Sequence, residues 1–219
     1  MAINLEKGQR ISLEKSNGAK LLNICVGVNW GAIETKGFLG LGRKVQSIDL
    51  DLSCVLIDDK NTICDYLYSP LYREEALKKF GLQKGKLQTL DNALRHTGDD
   101  LQGDSGGDDG LDNEIITVDF SKLNPSATYL GFFVNSFRGQ DFKDIPFASI
   151  RIYEGTPSRV TEVFAKYDIA NEKAFAGSVA MILGVFYKRN GEWKFNAIGT
   201  PTADKKLEQT VTTIQQNHL

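Results

Sequence analysis

A chain of 219 residues with 41% hydrophobic side chains can bury a sizeable core, which excludes wholesale disorder. The net charge of −2 conceals an asymmetry: seven of the 28 acids crowd between Asp99 and Glu114, where no Lys or Arg stands, leaving 21 acids against 26 basic residues elsewhere. A strongly acidic loop on a mildly basic body argues against contact with nucleic-acid phosphates, and Cys25, Cys54 and Cys64, without CxxC spacing, argue against a disulfide framework. Each cysteine lies in or beside an apolar run, the usual setting of a small buried thiol. The segment MAINLEKGQR lacks the apolar stretch of a signal peptide, and the longest strongly apolar run, residues 179–186, is too short to span a bilayer. A soluble, cytoplasmic chain with no transmembrane segment is expected.

In chain order, residues 9–15 and 20–30 read as two strands about the turn Ser16-Asn17-Gly18. In the second, Leu22, Ile24, Val26 and Val28 alternate with Asn23, Cys25, Gly27 and Asn29, a period of two. The glycine-rich segment 37–45 nearly fits the phosphate-binding GxxxxGK[ST] pattern. Arg43 stands at the lysine position and Lys44 at the hydroxyl position, so it reads as an inter-strand loop. Residues 47–57, SIDLDLSCVLI, form the clearest strand, with Ile48, Leu50, Leu52, Cys54 and Leu56 on one face and Ser47, Asp49, Asp51 and Ser53 on the other. The two aspartates start roughly 7 Å apart along the strand. With Ca–O distances of about 2.4 Å they can approach one ion or two neighbouring ions. A solvent-facing polar side of an antiparallel sheet accounts for them equally well.

Beyond a turn at 58–61, residues 62–68 read as a shorter strand and 73–80 as a short helix. There Ala76, Leu77 and Phe80 would face inward and Glu75 would pair with Lys79. Residues 81–94 are polar and show no period. Strands are expected at 115–120, 128–137, 147–154, 163–169, 174–187 and 192–198, with Arg189-Asn190-Gly191 as a hairpin signal. Residues 204–216 read as a C-terminal helix, with Asp204 as its cap and Leu207, Val211 and Ile214 along one face. Many short strands without a repeat or linker indicate a mainly β fold. The expected architecture is an antiparallel β-sandwich with a short inserted helix and a C-terminal helix, one domain over residues 1–219.

The stretch 96–114, HTGDDLQGDSGGDDGLDNE, sets its seven carboxylates among five glycines. Like charges on so flexible a backbone repel one another unless a cation sits among them, and Ca²⁺ takes six to eight oxygen ligands. A solvated acidic linker has the same composition. Neither this loop nor residues 49–53 fits the EF-hand pattern, so a calcium site would be assembled from loop and strand together. Gly103-Asp104-Ser105-Gly106-Gly107 copies the peptide around the nucleophile of chymotrypsin-type proteases. Its histidines, His96 and His218, lie in the same loop and near the C-terminus, so the glycines read as turn residues. Two histidines and three scattered cysteines make no zinc cluster. Clustered carboxylates with His96 as base leave a metal-dependent hydrolase as an alternative. The segment 37–42 leaves a small-ligand or nucleotide-binding module as another.

Several pieces carry a family resemblance in their order along the chain. They are Leu5-Glu-Lys-Gly-Gln9, Val26-Gly-Val-Asn-Trp30, Ile48-Asp-Leu-Asp-Leu-Ser53, His96-Thr-Gly-Asp-Asp100, Gly107-Asp-Asp109, Glu114, Val118-Asp-Phe-Ser-Lys122, Gly191-Glu-Trp-Lys-Phe195 and Ala197-Ile-Gly199. Together they resemble the TerD family of tellurium-resistance and bacterial stress proteins. The resemblance implies a non-enzymatic β-sandwich that binds Ca²⁺, more than one ion, through clustered acids. Position by position, Asp49 and Asp51 match the family's strand acids; Asp99, Asp100, Asp104, Asp108, Asp109 and Glu114 match its acidic loop. It further implies tellurite and chemical-stress tolerance and partners among other stress and tellurium-resistance proteins, some of them membrane-associated. The implied location is the cytoplasm, peripheral at the inner face of the membrane. Gln46-Ser47 stands where the family often has another acid, and residues 72–95 and 110–113 depart from its pattern, which leaves Asp112 as an added ligand or a surface charge. On this reading Ca²⁺ orders the loop 96–114 against the Asp49/Asp51 strand and creates a surface for a partner.

Overall fold

The computed structural model describes residues 3–4, 9–14, 18–36, 43–168 and 175–219. Its strands are β1 (Ile3–Asn4), β2 (Arg10–Ser12), β3 (Asn23–Trp30), β4 (Ile33–Lys36), β5 (Arg43–Gln46), β6 (Leu50–Ile57), β7 (Ile63–Leu67), β8 (Leu94–His96), β9 (Glu114–Asp119), β10 (Tyr129–Ser136), β11 (Ala148–Thr156), β12 (Arg159–Asp168), β13 (Ala180–Arg189) and β14 (Glu192–Thr202). Helix α1 (Glu74–Lys78) follows β7, and α2 (Leu207–Asn217) follows β14. Two six-stranded sheets result, ordered β1-β12-β11-β3-β9-β8 and β2-β14-β13-β10-β6-β7, with β4 and β5 as a separate hairpin. The pairings between these strands are antiparallel apart from β1 with β12, and an isolated parallel bridge joins Gly31 to Asp104. The β-sandwich with a short inserted helix and a C-terminal helix is therefore the observed architecture.

Period two explains how the sheets close on each other. Ile24, Val26, Val28 and Trp30 of β3 join Ile116 and Val118 of β9 in one buried cluster with Leu50, Leu52, Cys54 and Leu56 of β6 and Phe132 of β10. The opposite face of β6 is covered as well. Val55 and Ile57 pack with Phe133, Tyr68, Leu77 of α1, and Leu207, Val211 and Ile214 of α2. Burial on both faces removes the option of a solvent-facing polar side: Asp49 and Asp51 are only 2% and 3% exposed.

Local expectations differ from the structure at several points. The helix at 74–78 leaves Phe80, beyond its C-cap Lys79, 52% exposed, and its ion pair joins Glu74 to Lys78 at 2.8 Å. Asp204 does not cap α2. Lys206 occupies that position, and Asp204 Oδ1 instead accepts from the Thr213 hydroxyl at 3.1 Å. Arg43–Gln46 is a strand paired with Ile33–Lys36, while the near-phosphate-loop residues 37–42 lie outside the described residues, as do Ser16 and Asn17. The short strand Leu94–His96 places His96 in a sheet. Asn190 and Gly191 both adopt positive φ, 54° and 78°, as a type I′ hairpin requires. The three cysteines are free thiols, Cys25 and Cys54 buried. Among the described residues no helix is long and apolar enough to cross a membrane.

Candidate metal centre

β8 and β9 close one edge of the first sheet, and β6 and β7 the corresponding edge of the second. β7 pairs with β6 only from Cys54 onward, so the Leu52 backbone lies beyond its reach. Side chains of the other sheet take over. Glu114 Oε2 accepts the Leu52 N–H at 2.7 Å, and His96 Nε2 lies 3.1 Å from the Leu52 carbonyl and 3.3 Å from Glu114 Oε2. Glu114 Oε1 accepts the Asp100 N–H at 3.0 Å, which ties the acidic loop to the same carboxylate. The Gly98 N–H donates to His96 Nδ1 at 2.9 Å, so this nitrogen is the acceptor and the ring hydrogen sits on Nε2.

Around this junction two carboxylate groups form. In the first, one oxygen each from Asp51, Asp99 and Glu114 lies within 4.8 Å of the others. The Tyr72 hydroxyl donates to Asp51 Oδ2 at 2.6 Å and the Ser69 hydroxyl to Asp99 Oδ2 at 2.7 Å. Asp49 sits two residues along the strand, with Arg138 Nε 3.5 Å from its Oδ2. Burial pushes the Asp51 carboxyl up to about 8; the Tyr72 hydroxyl opposes this, and the charges of Glu114, Asp49 and Asp99 add to the rise. Burial likewise raises Asp49 against the pull of Arg138, and Glu114 against the pull of His96 and its two N–H donors. Carboxyls that resist ionisation because of burial and one another are relieved by a cation among them.

The second group is more open: Asp104, Asp108 and Asp109 offer oxygens within the same 4.8 Å limit. Asn29 Nδ2 donates to Asp108 Oδ1 at 2.8 Å, while the buried Asn29 Oδ1 has no partner. Asn113 ties Asp104 of this group to Asp100, with Nδ2 3.1 Å from Asp100 Oδ2 and 3.0 Å from Asp104 Oδ1, and its Oδ1 accepts the Trp30 N–H. Main-chain bonds fix the loop on the sandwich: Ala32 N–H to the Asp104 carbonyl at 2.8 Å, Asp104 N–H to that of Trp30 at 2.9 Å, and Ile48 N–H to that of Gln102 at 3.0 Å. Gly103 permits this approach, since its φ is +71° and a Cβ would stand 2.5 Å from Trp30 Cδ1.

Of the eight acids singled out in the sequence, six therefore fall into these two groups. Asp49 lies beside the first, and Asp100 serves the loop, its Oδ1 accepting the Gln102 and Gly103 N–H groups. Asp112 is not a surface charge, and it lies outside both groups. Its carboxylate is buried against Arg151, 2.7 Å from Nε, in space that a Cβ on Gly27 would fill. Gly27→Ala is expected to expel Asp112 and break this latch, destabilising the protein by about 1–3 kcal/mol as overpacking does. Urea unfolding measures the loss, and faster amide exchange at residues 108–113 locates it. Tyr72, Ser69, Asn29, Asn113 and Arg138 were not singled out. Asn29 lies inside the motif Val26-Gly-Val-Asn-Trp30 and Asn113 in the divergent segment 110–113, whereas nothing in the sequence pairs Tyr72 or Ser69 with acids 21 and 30 residues away.

The donor set is carboxylate and amide oxygen without cysteine, which suits a hard divalent cation rather than a soft one. The unpartnered Asn29 Oδ1 and the raised Asp51 fit such an ion. The fold and this site define an acidic, metal-competent β-sandwich. The chain belongs to the TerD family: the TerD domain matches residues 1–213. It is 33% identical over 198 residues to tellurium resistance protein TerZ of Serratia marcescens, covering 90% of this chain and 89% of that one. It is 34% identical over 218 residues to stress response protein SCP2 of Bacillus subtilis, covering 96% and 98%. A crystal structure of a homologue of telluride resistance protein (TerD) from Streptomyces coelicolor shares the fold, with TM-score 0.61 at 14% identity over 90% of this chain and 98% of that one.

Proposed function

We propose that this protein is a non-enzymatic calcium-binding member of the tellurium-resistance and stress-response family, in which Ca²⁺ joins the acidic loop to the sandwich. Asp51, Asp99 and Glu114, with Asp49 beside them, would hold one ion; Asp104, Asp108 and Asp109, with the Asn29 amide oxygen, would hold a second. The observation that carries this reading is a carboxyl buried to 3% exposure whose only described side-chain donor is a neutral tyrosine hydroxyl. Bound calcium supplies charge neutralisation there. The chain's own residues supply oxygen donors from three separate elements, so that loading ties β6, β9 and the loop together.

Exposed Leu101 and Leu111, on the same loop, would then form part of a surface for other stress or tellurium-resistance proteins, including membrane-associated ones. The place of action would be the cytoplasm, at the inner face of the membrane. A metal-dependent hydrolase is disfavoured, because His96 commits Nδ1 to the Gly98 N–H and Nε2 to Leu52 and Glu114, leaving no lone pair for water.

Calorimetric titration of the metal-stripped protein with CaCl₂ tests the reading. Saturable binding is expected, weakened at least about tenfold by Asp51→Asn, since even outer partners of metal ligands cost that much. Asp108→Asn is expected to remove the second event alone. Absence of calcium binding to a folded protein would sink the proposal.

A further inference from the structure

A cavity of about 430 Å³ opens beside the first turn of α2, with Tyr72 in its lining. Tyr72 and Phe137, whose rings meet edge to face at 5.2 Å, and the exposed Leu71 give it apolar walls. Arg73, Lys205 and Lys206 stand at its exposed rim, and none of the three is in a salt bridge among the described residues. The first turn of α2 also opens here. Lys206 caps it without a side-chain bond, so the first-turn N–H groups lack a capping side chain at a positive helix end.

A second, independent feature is buried in the lining. Asn135 is 3% exposed; its Nδ2 donates to the Thr210 hydroxyl at 3.1 Å, and its Oδ1 has no partner. Buried acceptors are rarely left unmade, because the loss amounts to the full desolvation penalty. Glu208 is the one acid in the lining and is also buried. Three cations and a helix N-terminus in this lining call for an anionic group. The orphaned Asn135 carbonyl and the Glu208 carboxylate call for a hydrogen-bond donor, and the aromatic walls for a flat apolar body.

We propose that this cavity is a binding site for a small organic anion, an aromatic or similarly flat carboxylate or phosphate that also bears a hydroxyl or amine. Tyr72 connects it to the metal centre, since the ring forms a wall and its hydroxyl donates to Asp51. Occupancy therefore changes calcium affinity, a linkage that rests on the calcium reading and is reciprocal.

The test is a titration of the full metal-free chain with 4-hydroxybenzoate, followed by backbone amide NMR. A ligand of this size is expected to bind in the millimolar range or tighter, with shifts centred on Arg73, Asn135, Phe137 and Leu207. Neutral 4-hydroxybenzyl alcohol should bind at least about tenfold more weakly, as should 4-hydroxybenzoate to an Arg73→Gln/Lys205→Gln/Lys206→Gln protein, each having lost the charge-assisted bonds. All three substituted side chains are exposed, so the fold is kept. No saturable shifts at this site, or equal affinity in the triple variant, would overturn the proposal. Repeating the titration with saturating calcium should change the affinity two- to fivefold. Binding of 4-hydroxybenzoate by a chain that takes no calcium would retire the calcium reading and leave this site standing; calcium binding without 4-hydroxybenzoate binding would do the reverse.

Discussion

Millimolar calcium is expected to raise the Tm of the metal-stripped protein by roughly 5–10 °C. A ligand at a hundred times its Kd adds about 2.7 kcal/mol to folding stability, and for a chain of this size each kcal/mol moves Tm by about 2–4 °C. Asp51→Asn separates the two roles of the carboxylate. Without metal, a buried acid surrounded by Glu114, Asp49 and Asp99 opposes folding at neutral pH, so the amide, which still accepts from Tyr72, should melt higher than the wild type. With calcium the order reverses, because the variant gains little from an ion it has lost a ligand for. The two proteins' melting curves should thus cross between the metal-free and calcium-loaded conditions. Magnesium should raise Tm less, since it demands near-octahedral geometry and dehydrates reluctantly. An equal calcium increment in wild type and Asp51→Asn would remove Asp51 from the ligand set.

What could be read from the sequence was whatever local period controls. The alternation of Leu50, Leu52 and Cys54 against Asp51 and Ser53 put the strand's apolar side in the core and its acids on the other face. The glycine spacing in 96–114 announced turns, and Gly98, Gly103, Gly106, Gly107 and Gly110 do take positive φ. Burial of Asp49 and Asp51 was not legible, because it depends on the segment around Tyr72 and on α2 folding over the outer face of β6, a contact between residues far apart in sequence. Residues 72–95, a departure from the family pattern, supply that cover through Tyr72, Leu77 and Leu82. The strand Leu94–His96 was hidden for a different reason. Three residues carry no period, and His96 becomes a sheet residue only because β9 lies alongside it. Asn113 lies in the segment 110–113 that departs from the family pattern, yet its amide spans Asp100 and Asp104.

The metal-free protein is expected to lose stability as pH rises from about 5 to above 8, and the calcium-loaded protein to lose none over the same range. An unfolded aspartate titrates near 3.9, whereas burial and neighbouring charges push the folded Asp51 carboxyl up to about 8. Between those values the folded state holds a proton that the unfolded chain has released. Stability therefore falls with pH, is greatest at the acid end of the window, and stops changing once both states are ionised above it. Asp49 and Glu114 are raised as well and act in the same direction. One proton limits the slope to about 1.4 kcal/mol per pH unit, and sharing of protons within the cluster reduces it, so a fall of about 1–2 kcal/mol between pH 6 and 8 is expected. Urea unfolding of the stripped protein measures it, and Asp51→Asn should flatten the profile. Calcium competes with that same proton, so its affinity should weaken below pH 8 by at most about tenfold per unit. Calorimetry at pH 7 in two buffers of different ionisation enthalpy should register up to about one proton released per ion at the inner group, and almost none at pH 9. A flat metal-free profile together with pH-independent calcium affinity would mean that the inner carboxylates are ionised without the metal, and that something other than calcium balances their charge.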